Sequence, residues 1–200
     1  MNTVEAIRTR RSVRGLLGPA LADEQVATLV ELALRAPAPH HTRPWRFVHV
    51  RPASRARLAD AMAEAWRADM VRDGVPPAQQ ERALARSRRQ IIDAPTLLLG
   101  CLVADGLRLY EDDRRARAEW GLAQHAFGAA LQNVLLGAHD AGLAAFWISA
   151  PLYAQDAVRA ALGLEAAWQP QAFVALGHRD PAYAPFARPA PDLGAMLVER

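Results

Sequence analysis

Ala36-Pro37-Ala38-Pro39-His40-His41-Thr42-Arg43-Pro44-Trp45-Arg46-Phe47 is the stretch on which the reading of this chain turns. Pro37, Pro39 and Pro44 deny it a helix, because each lacks a backbone N–H and clashes with the turn before it, so the segment reads as an extended loop. It runs directly into Phe47-Val48-His49-Val50, whose alternation has the period of a half-buried strand. A stiff polar loop delivered by a strand is suited to holding a ligand. A second polar motif, Arg10-Arg11-Ser12-Val13-Arg14, follows a short helix predicted over residues 4 to 9.

Upstream of the loop, Val26, Leu29, Val30, Ala33 and Leu34 recur on one helical face, predicting a helix from about residue 22 to 35 that Pro37 stops. Downstream, the strand from Trp45 to Val50 leads to a helix over Ala53 to Arg72, with Leu58, Met62, Ala65 and Trp66 on one side. Gly74-Val75-Pro76-Pro77 separates it from a second helix, Ala78 to Asp93, and Pro95 introduces an apolar strand from Thr96 to Val103. The longest helical candidate runs from Glu111 to about His139. Its second half is apolar on most faces through Leu122, Ala126, Phe127, Ala130, Leu131, Val134 and Leu135, so it must lie centrally or against a partner chain. Leu143 to Ser149 reads as a strand, Ala154 to Leu162 as a helix and Gln171 to Leu176 as the last strand. Residues 177 to 191, rich in proline, read as an extended arm. With no repeat, linker or internal boundary, residues 1–200 are expected to form a single α+β domain: a mixed sheet sandwiched by helices, in an obligate homodimer with the long helix at its interface.

Composition narrows the function classes. At 200 residues with 52% hydrophobic content the chain can bury a substantial core. Its 24 basic residues are offset by 21 acidic ones to a net charge of +3, too balanced for a nucleic-acid protein. Arginine supplies the basic charge; its planar fork suits phosphates and carboxylates, although a GC-rich genome gives the same bias. The lone Cys101 excludes an internal disulfide and any cysteine-rich metal site, and its apolar surroundings predict a packed, inert thiol. Charges at Glu5, Arg8, Arg10, Arg11 and Arg14 leave no apolar signal core, and no run reaches the roughly 18 apolar residues of a membrane span. A cytoplasmic protein with no membrane partner is expected.

Arg10-Arg11-Ser12-x-Arg14, followed by the proline-flanked loop ending in Pro44-Trp45-Arg46-Phe47, resembles the nitroreductase superfamily of FMN enzymes. The His40-His41-Thr42-Arg43 centre is similar, within it, to the C-terminal FMN domain of the bifunctional enzyme that makes the deazaflavin coenzyme F420, and the resemblance extends over nearly the whole chain. It implies a nitroreductase-like fold and bound FMN. On that resemblance Arg10 and Ser12 hold the FMN phosphate and ribityl chain, and Arg11 assists. Arg14 lies beside flavin N1 and O2, where a fixed cation stabilises the charge that reduction creates. In the wider family the loop reads Asn-x-Gln-Pro-Trp, its Asn contacting the ribityl region from the other subunit. Here His41 and Arg43 stand at the Asn and Gln positions, with Pro37, Ala38 and Pro39 packing on the cofactor or reaching it through backbone groups. Trp147-Ile148-Ser149-Ala150-Pro151 matches the segment whose backbone N–H groups face flavin N5. Gly177 and Arg188 correspond to a glycine and an arginine of a C-terminal arm that closes over the phosphate.

The residues alone leave plainer readings open. Arg10, Arg11 and Arg14 also suit the C-terminus of a helix, where cations favour the dipole. His40 and His41 suggest a metal, but no cysteine or carboxylate stands at ligand spacing, so no metal is expected. Ser149 fits a strand-to-loop turn, and Arg188 a solvated arm. Arg72, Arg82, Arg86, Arg88 and Arg89, like Arg114, Arg115 and Arg117, read as solvated helix faces, or as a few cations facing a site mouth and attracting an anion.

The resemblance implies an FMN-dependent oxidoreductase that reduces the enolpyruvyl double bond of dehydro-F420-0 in coenzyme F420 biosynthesis, with hydride from flavin N5, no certain side-chain catalyst, and His40, Arg43 and Tyr110 nearest the substrate. NAD(P)H or reduced F420 would be the electron donor. The ligase domain of the fused relative is not in these residues, so no glutamylation is expected of them. Two rivals stay open: a general NAD(P)H-dependent nitro or quinone reductase, and a flavin or deazaflavin carrier without turnover.

Overall fold

Eleven residues at the end of the apolar sequence, Gln169–Arg179, form the longest strand, β5, and most of the sheet is built on it. The computed structural model describes residues 1–200. In chain order the elements are α1 (Thr3–Thr9), β1 (Leu16–Leu17), α2 (Asp23–Ala33), β2 (Trp45–His49), α3 (Pro52–Arg72), α4 (Pro77–Ile92), β3 (Thr96–Leu102), α5 (Asp113–Asp140), β4 (Ala144–Ile148), α6 (Gln155–Leu162), β5 and the short α7 (Leu193–Met196). β5 pairs with β1, β3 and β4, and β3 pairs with β2. All four pairings are antiparallel, so the α+β class stands while the expected mixed sheet has no parallel pair. The reason lies in the connections: α3 and α4 form a helical hairpin that returns the chain to the edge of β2, and β5, arriving last, inserts between β3 and β4. The β3/β5 register shifts between Gly100 and Cys101, where Pro170, which has no N–H to give, enters the ladder.

Strand alternation sorts the core into two. Leu98, Leu102, Ala172, Val174 and Leu176 face α2 and α5. Leu97, Leu99, Cys101, Phe173 and Ala175 face the other way, onto α3 and α6, with Leu58, Met62 and Val158. Arg55 is fully enclosed where α3 begins and donates to the carbonyls of Val50, Ile92, Ala94 and Pro95, which fastens the α3–α4 hairpin to the sheet. Cys101 is sealed in the second core, and burial pushes its thiol up to about 12. A thiol reagent at pH 8 is therefore expected to leave the native protein unmodified and to label one cysteine after unfolding; rapid native labelling would contradict this packing.

The long helix departs from expectation in one respect. One face of α5, from Ala123 through Phe127 and Leu131 to Ala138, is buried on the sheet. The opposite face carries Gly121, Leu122, His125, Gly128, Ala129, Gln132 and Asn133 and stays partly open, with nothing near the positions a Cβ would take on Gly121 or Gly128. Leu122 is the one large apolar side chain on this face; the rest are glycine, alanine and polar residues. No helix is long and apolar enough to cross a membrane.

Candidate active site

The Arg10–Arg14 segment is extended and lies along β4. The N–H of Val13 donates to the Ala145 carbonyl at 3.1 Å, and the Arg14 guanidinium sits over the Phe146 ring, 5.7 Å from its centroid. Following the same strand, Ser149 and Ala150 come about 10 Å further on at the rise of a strand. The C-terminal arm folds back onto this edge. Asp180 N–H donates to the Gly15 carbonyl at 3.0 Å, Arg11 Nη2 to the Phe186 carbonyl at 3.1 Å, and Arg188 Nη2 reaches the Arg10 carbonyl at 3.4 Å.

Three cations therefore meet at one end of the edge with no carboxylate between them. Arg10 Nη1 is buried and has no hydrogen-bond partner. Burial first, then the positive charges of Arg188 and Arg11, lower the Arg10 pKa. A half-buried guanidinium with a sealed, unpartnered nitrogen and two cations beside it is costly unless an anion joins it. The cavity beside it, about 330 Å³, is also lined by His139 and Arg179. At the other end, Ala150 and Tyr153 open onto a cleft of about 410 Å³ walled by Met62 and Trp66 of α3 and Ser87 of α4.

The proline loop is not extended. Pro39–His41 makes a single tight turn, and His40, His41 and Arg43 have φ of 52°, 59° and 51°, left-handed values that side chains with a Cβ rarely adopt. Distant partners hold it there. His40 Nε2 pairs with Glu119 Oε1 at 3.1 Å, the same carboxylate accepts the Arg108 N–H at 3.1 Å, and Arg43 Nε donates to the Leu34 carbonyl at 3.1 Å, closing the end of α2. Tyr110, on the segment next to this turn, lies under the Arg115 guanidinium. Glu119 is 5% exposed, so Glu119→Ala would strand two donors and is expected to cost about 1–3 kcal/mol. Thermal unfolding should show the loss, and limited proteolysis should open the chain near residues 38–43; an unchanged melting temperature would remove Glu119 from this role.

One copy of the chain does not bring these two groups together. His40 is at residue 119 of α5, whereas Arg10 and His139 share a cavity and Thr9 Oγ1 is 2.8 Å from His139 Nε2. Twenty residues of helix separate those points by about 30 Å. Arg10, Arg11, Ser12, Arg14, Ser149, Ala150 and Arg188 occupy the β4 edge; Pro37, Ala38, Pro39, His40, His41, Arg43 and Tyr110 occupy the far corner. Gly177 is a correction. β5 continues to Arg179, so Gly177 lies in the strand opposite Ala144 rather than in the arm, and a Cβ there would meet Pro95 Cγ at 2.8 Å. Arg179, Glu119 and His139 were not singled out from sequence.

A fold of this kind is found in a known group. The nitroreductase family model matches residues 7–178, and the chain belongs to the nitroreductase family. It is 26% identical over 147 residues to a provisionally named NADH dehydrogenase/NAD(P)H nitroreductase of Methanothermobacter thermautotrophicus, a match covering 74% of this chain and 60% of that protein. A provisionally assigned nitroreductase of Desulfovibrio desulfuricans, solved in complex with FMN, superimposes with a TM-score of 0.72 at 27% identity over 100% of this chain and 98% of its own. An FMN-dependent nitroreductase of Mycobacterium smegmatis, solved with NADPH, also gives 0.72, at 19% identity over 98% and 97%. The last likeness is one of fold.

Proposed function

We propose that the chain is an FMN-dependent oxidoreductase that works as a homodimer, draws electrons from NAD(P)H and passes them to a small conjugated acceptor. The observation that carries this reading is Arg10, whose buried, unpartnered Nη1 beside Arg11 and Arg188 fits a phosphate monoester. The archaeal relative supports the donor and the Desulfovibrio complex the cofactor. FMN, when bound, supplies two-electron hydride chemistry at N5, with negative charge gathering at N1 and O2 on reduction.

The chain's own residues would divide the work along the β4 edge. Arg10, Arg11 and Arg188 hold the phosphate, the Ser12 hydroxyl serves the ribityl chain, and the Ser149–Ala150 backbone faces N5. Arg14 places a cation at N1 and O2. Arg14→Ala is therefore expected to lower the FMN midpoint potential by the equivalent of roughly 1–3 kcal/mol for one charge-assisted contact. Spectroelectrochemistry reads the shift, and an unchanged potential would take Arg14 out of the site.

The separation of about 30 Å between the Arg10 end and the His40 turn supports a dimer, since a single mononucleotide does not reach from one to the other. With two copies packed through the open α5 faces, the Pro37–Arg43 turn of one copy would cover the Arg10–Arg14 edge of the other.

His40-His41-Thr42-Arg43 favours a narrower second reading, reduction of the enolpyruvyl double bond of dehydro-F420-0 with NAD(P)H or reduced F420 as donor. Capping Leu34 occupies only Nε of Arg43 and leaves its terminal nitrogens for an anion. The test is anaerobic: chemically reduced protein is mixed with menadione, a nitroaromatic or dehydro-F420-0, and flavin reoxidation is followed with product mass. Reoxidation by quinone and nitroaromatic supports the first reading. A two-hydrogen mass gain in dehydro-F420-0 selects the second, and no reoxidation by any acceptor would contradict both and leave a carrier.

A further inference from the structure

Arg86 and Arg89 stand three residues apart on α4, so their side chains leave the helix on one face. With Arg14 they line a cavity of about 330 Å³ that Leu16, Gln90 and Phe146 complete, and the only carboxylate on its wall is Asp93. Neither guanidinium makes a hydrogen bond or an ion pair within the chain, and the Arg14 guanidinium rests only on the Phe146 ring. Arg57 and Arg82 of the same helical hairpin are also unpaired but line no such cavity, whereas other arginines there have acidic partners. Arg88 reaches Asp60, Arg67 pairs with Glu81 and Arg72 with Asp69. Like charges at this spacing disfavour a helix unless a counter-charge sits between them. Arg89, in the last turn, gains from the helix dipole, but Arg86, a turn earlier, does not.

We propose that Arg86 and Arg89 form an anion subsite that selects acceptors bearing a carboxylate, sulfonate or phosphate group and holds that group beside the Arg14 end of the cofactor edge. The inference rests on the oxidoreductase reading above and names its substrate class. Geometry gives the ligand its form. The mostly apolar cleft at Ala150, Trp66 and Tyr153, with Asp69 and Asp73 on its wall, and the cationic cavity at Arg86 meet α4 at neighbouring positions, Ser87 lining the first and Arg86 the second. A flat conjugated acceptor with an acidic group on its ring would lay its body toward the first and turn its anion to the second.

The test compares 1,4-naphthoquinone-2-sulfonate with uncharged menadione on the FMN-loaded dimer, wild type against the double variant R86A/R89A. The wild-type ratio of kcat/KM, sulfonate over menadione, is expected to fall about tenfold or more in the variant, mostly through KM of the sulfonate, the loss of charge-assisted contacts to one anion. Calorimetric titration of oxidised wild type with anthraquinone-2-sulfonate should show the same loss of affinity in the variant. Raising NaCl from about 20 to about 300 mM should weaken sulfonate binding to wild type and leave the variant insensitive. An unchanged acceptor ratio with unchanged sulfonate affinity would overturn the subsite. So would loss of FMN from the variant, which would make the pair cofactor ligands. Wild type that carries no FMN or reduces neither quinone would instead overturn the oxidoreductase reading, and the subsite with it.

Discussion

Arg10→Ala is expected to weaken FMN binding about 100-fold or more while leaving the cofactor-free protein as stable as before. A guanidinium on a phosphate makes two charge-assisted hydrogen bonds, each worth about 1.5–3 kcal/mol, and losing both exceeds two decades of affinity. The cofactor-free chain gains nothing from this side chain as it stands. Arg10 Nη1 has no partner, and the neighbouring charges of Arg188 and Arg11 work against it. Removing it relieves that crowding. If Arg10 served instead as a helix cap for α1, the opposite pattern would follow: a lower melting temperature and an unchanged FMN dissociation constant. Fluorescence titration of the cofactor-free protein and a thermal melt of the same sample separate the two. Arg11→Ala should be milder, because Arg11 Nη2 already donates to the Phe186 carbonyl.

Gly128→Arg should convert the protein to a monomer without flavin. Gly128 lies on the open face of α5, and nothing in the chain lies within 4 Å of the place its Cβ would occupy. Within one copy the substitution is therefore free of clash, and replacing a mid-helix glycine stabilises α5 by about 0.5–1 kcal/mol. A second α5 packed on that face would meet a long charged side chain where it now meets a hydrogen. Size-exclusion chromatography with light scattering should give a well-folded monomer whose flavin is lost on purification. A flavin-loaded dimer would mean that the copies do not pack through α5.

Most element positions were legible because proline and glycine punctuate them. Pro37, Pro95 and Gly163 mark boundaries the structure keeps, with Gly163 in the left-handed conformation after α6. The turn at residues 39–41 was misread as extended for a physical reason. Proline excludes a helix, but it does not report that Glu119, 79 positions from His40, and the Leu34 carbonyl hold His40, His41 and Arg43 left-handed. A still longer separation in sequence hid the approach of Arg188 to Arg10, and with it the place of Arg179 on the same cavity wall. The Arg-Arg-Ser motif and the proline loop were both visible as polar segments. That they sit at opposite ends of α5 was not, because a helical period carries no information about which loops its two ends support. The strand from Gln171 to Leu176 proved longer at both ends, since Gln169 and Arg179 pair through their backbones whatever their side chains.

Two copies of this chain are expected to complete each FMN site, and dissociation should therefore release the cofactor. Purified protein is diluted stepwise while light scattering follows mass and released FMN is followed by its fluorescence. The expected result is a homodimer carrying two FMN, with flavin leaving in step with dissociation. A stable monomer that retains one FMN through the dilution would contradict it.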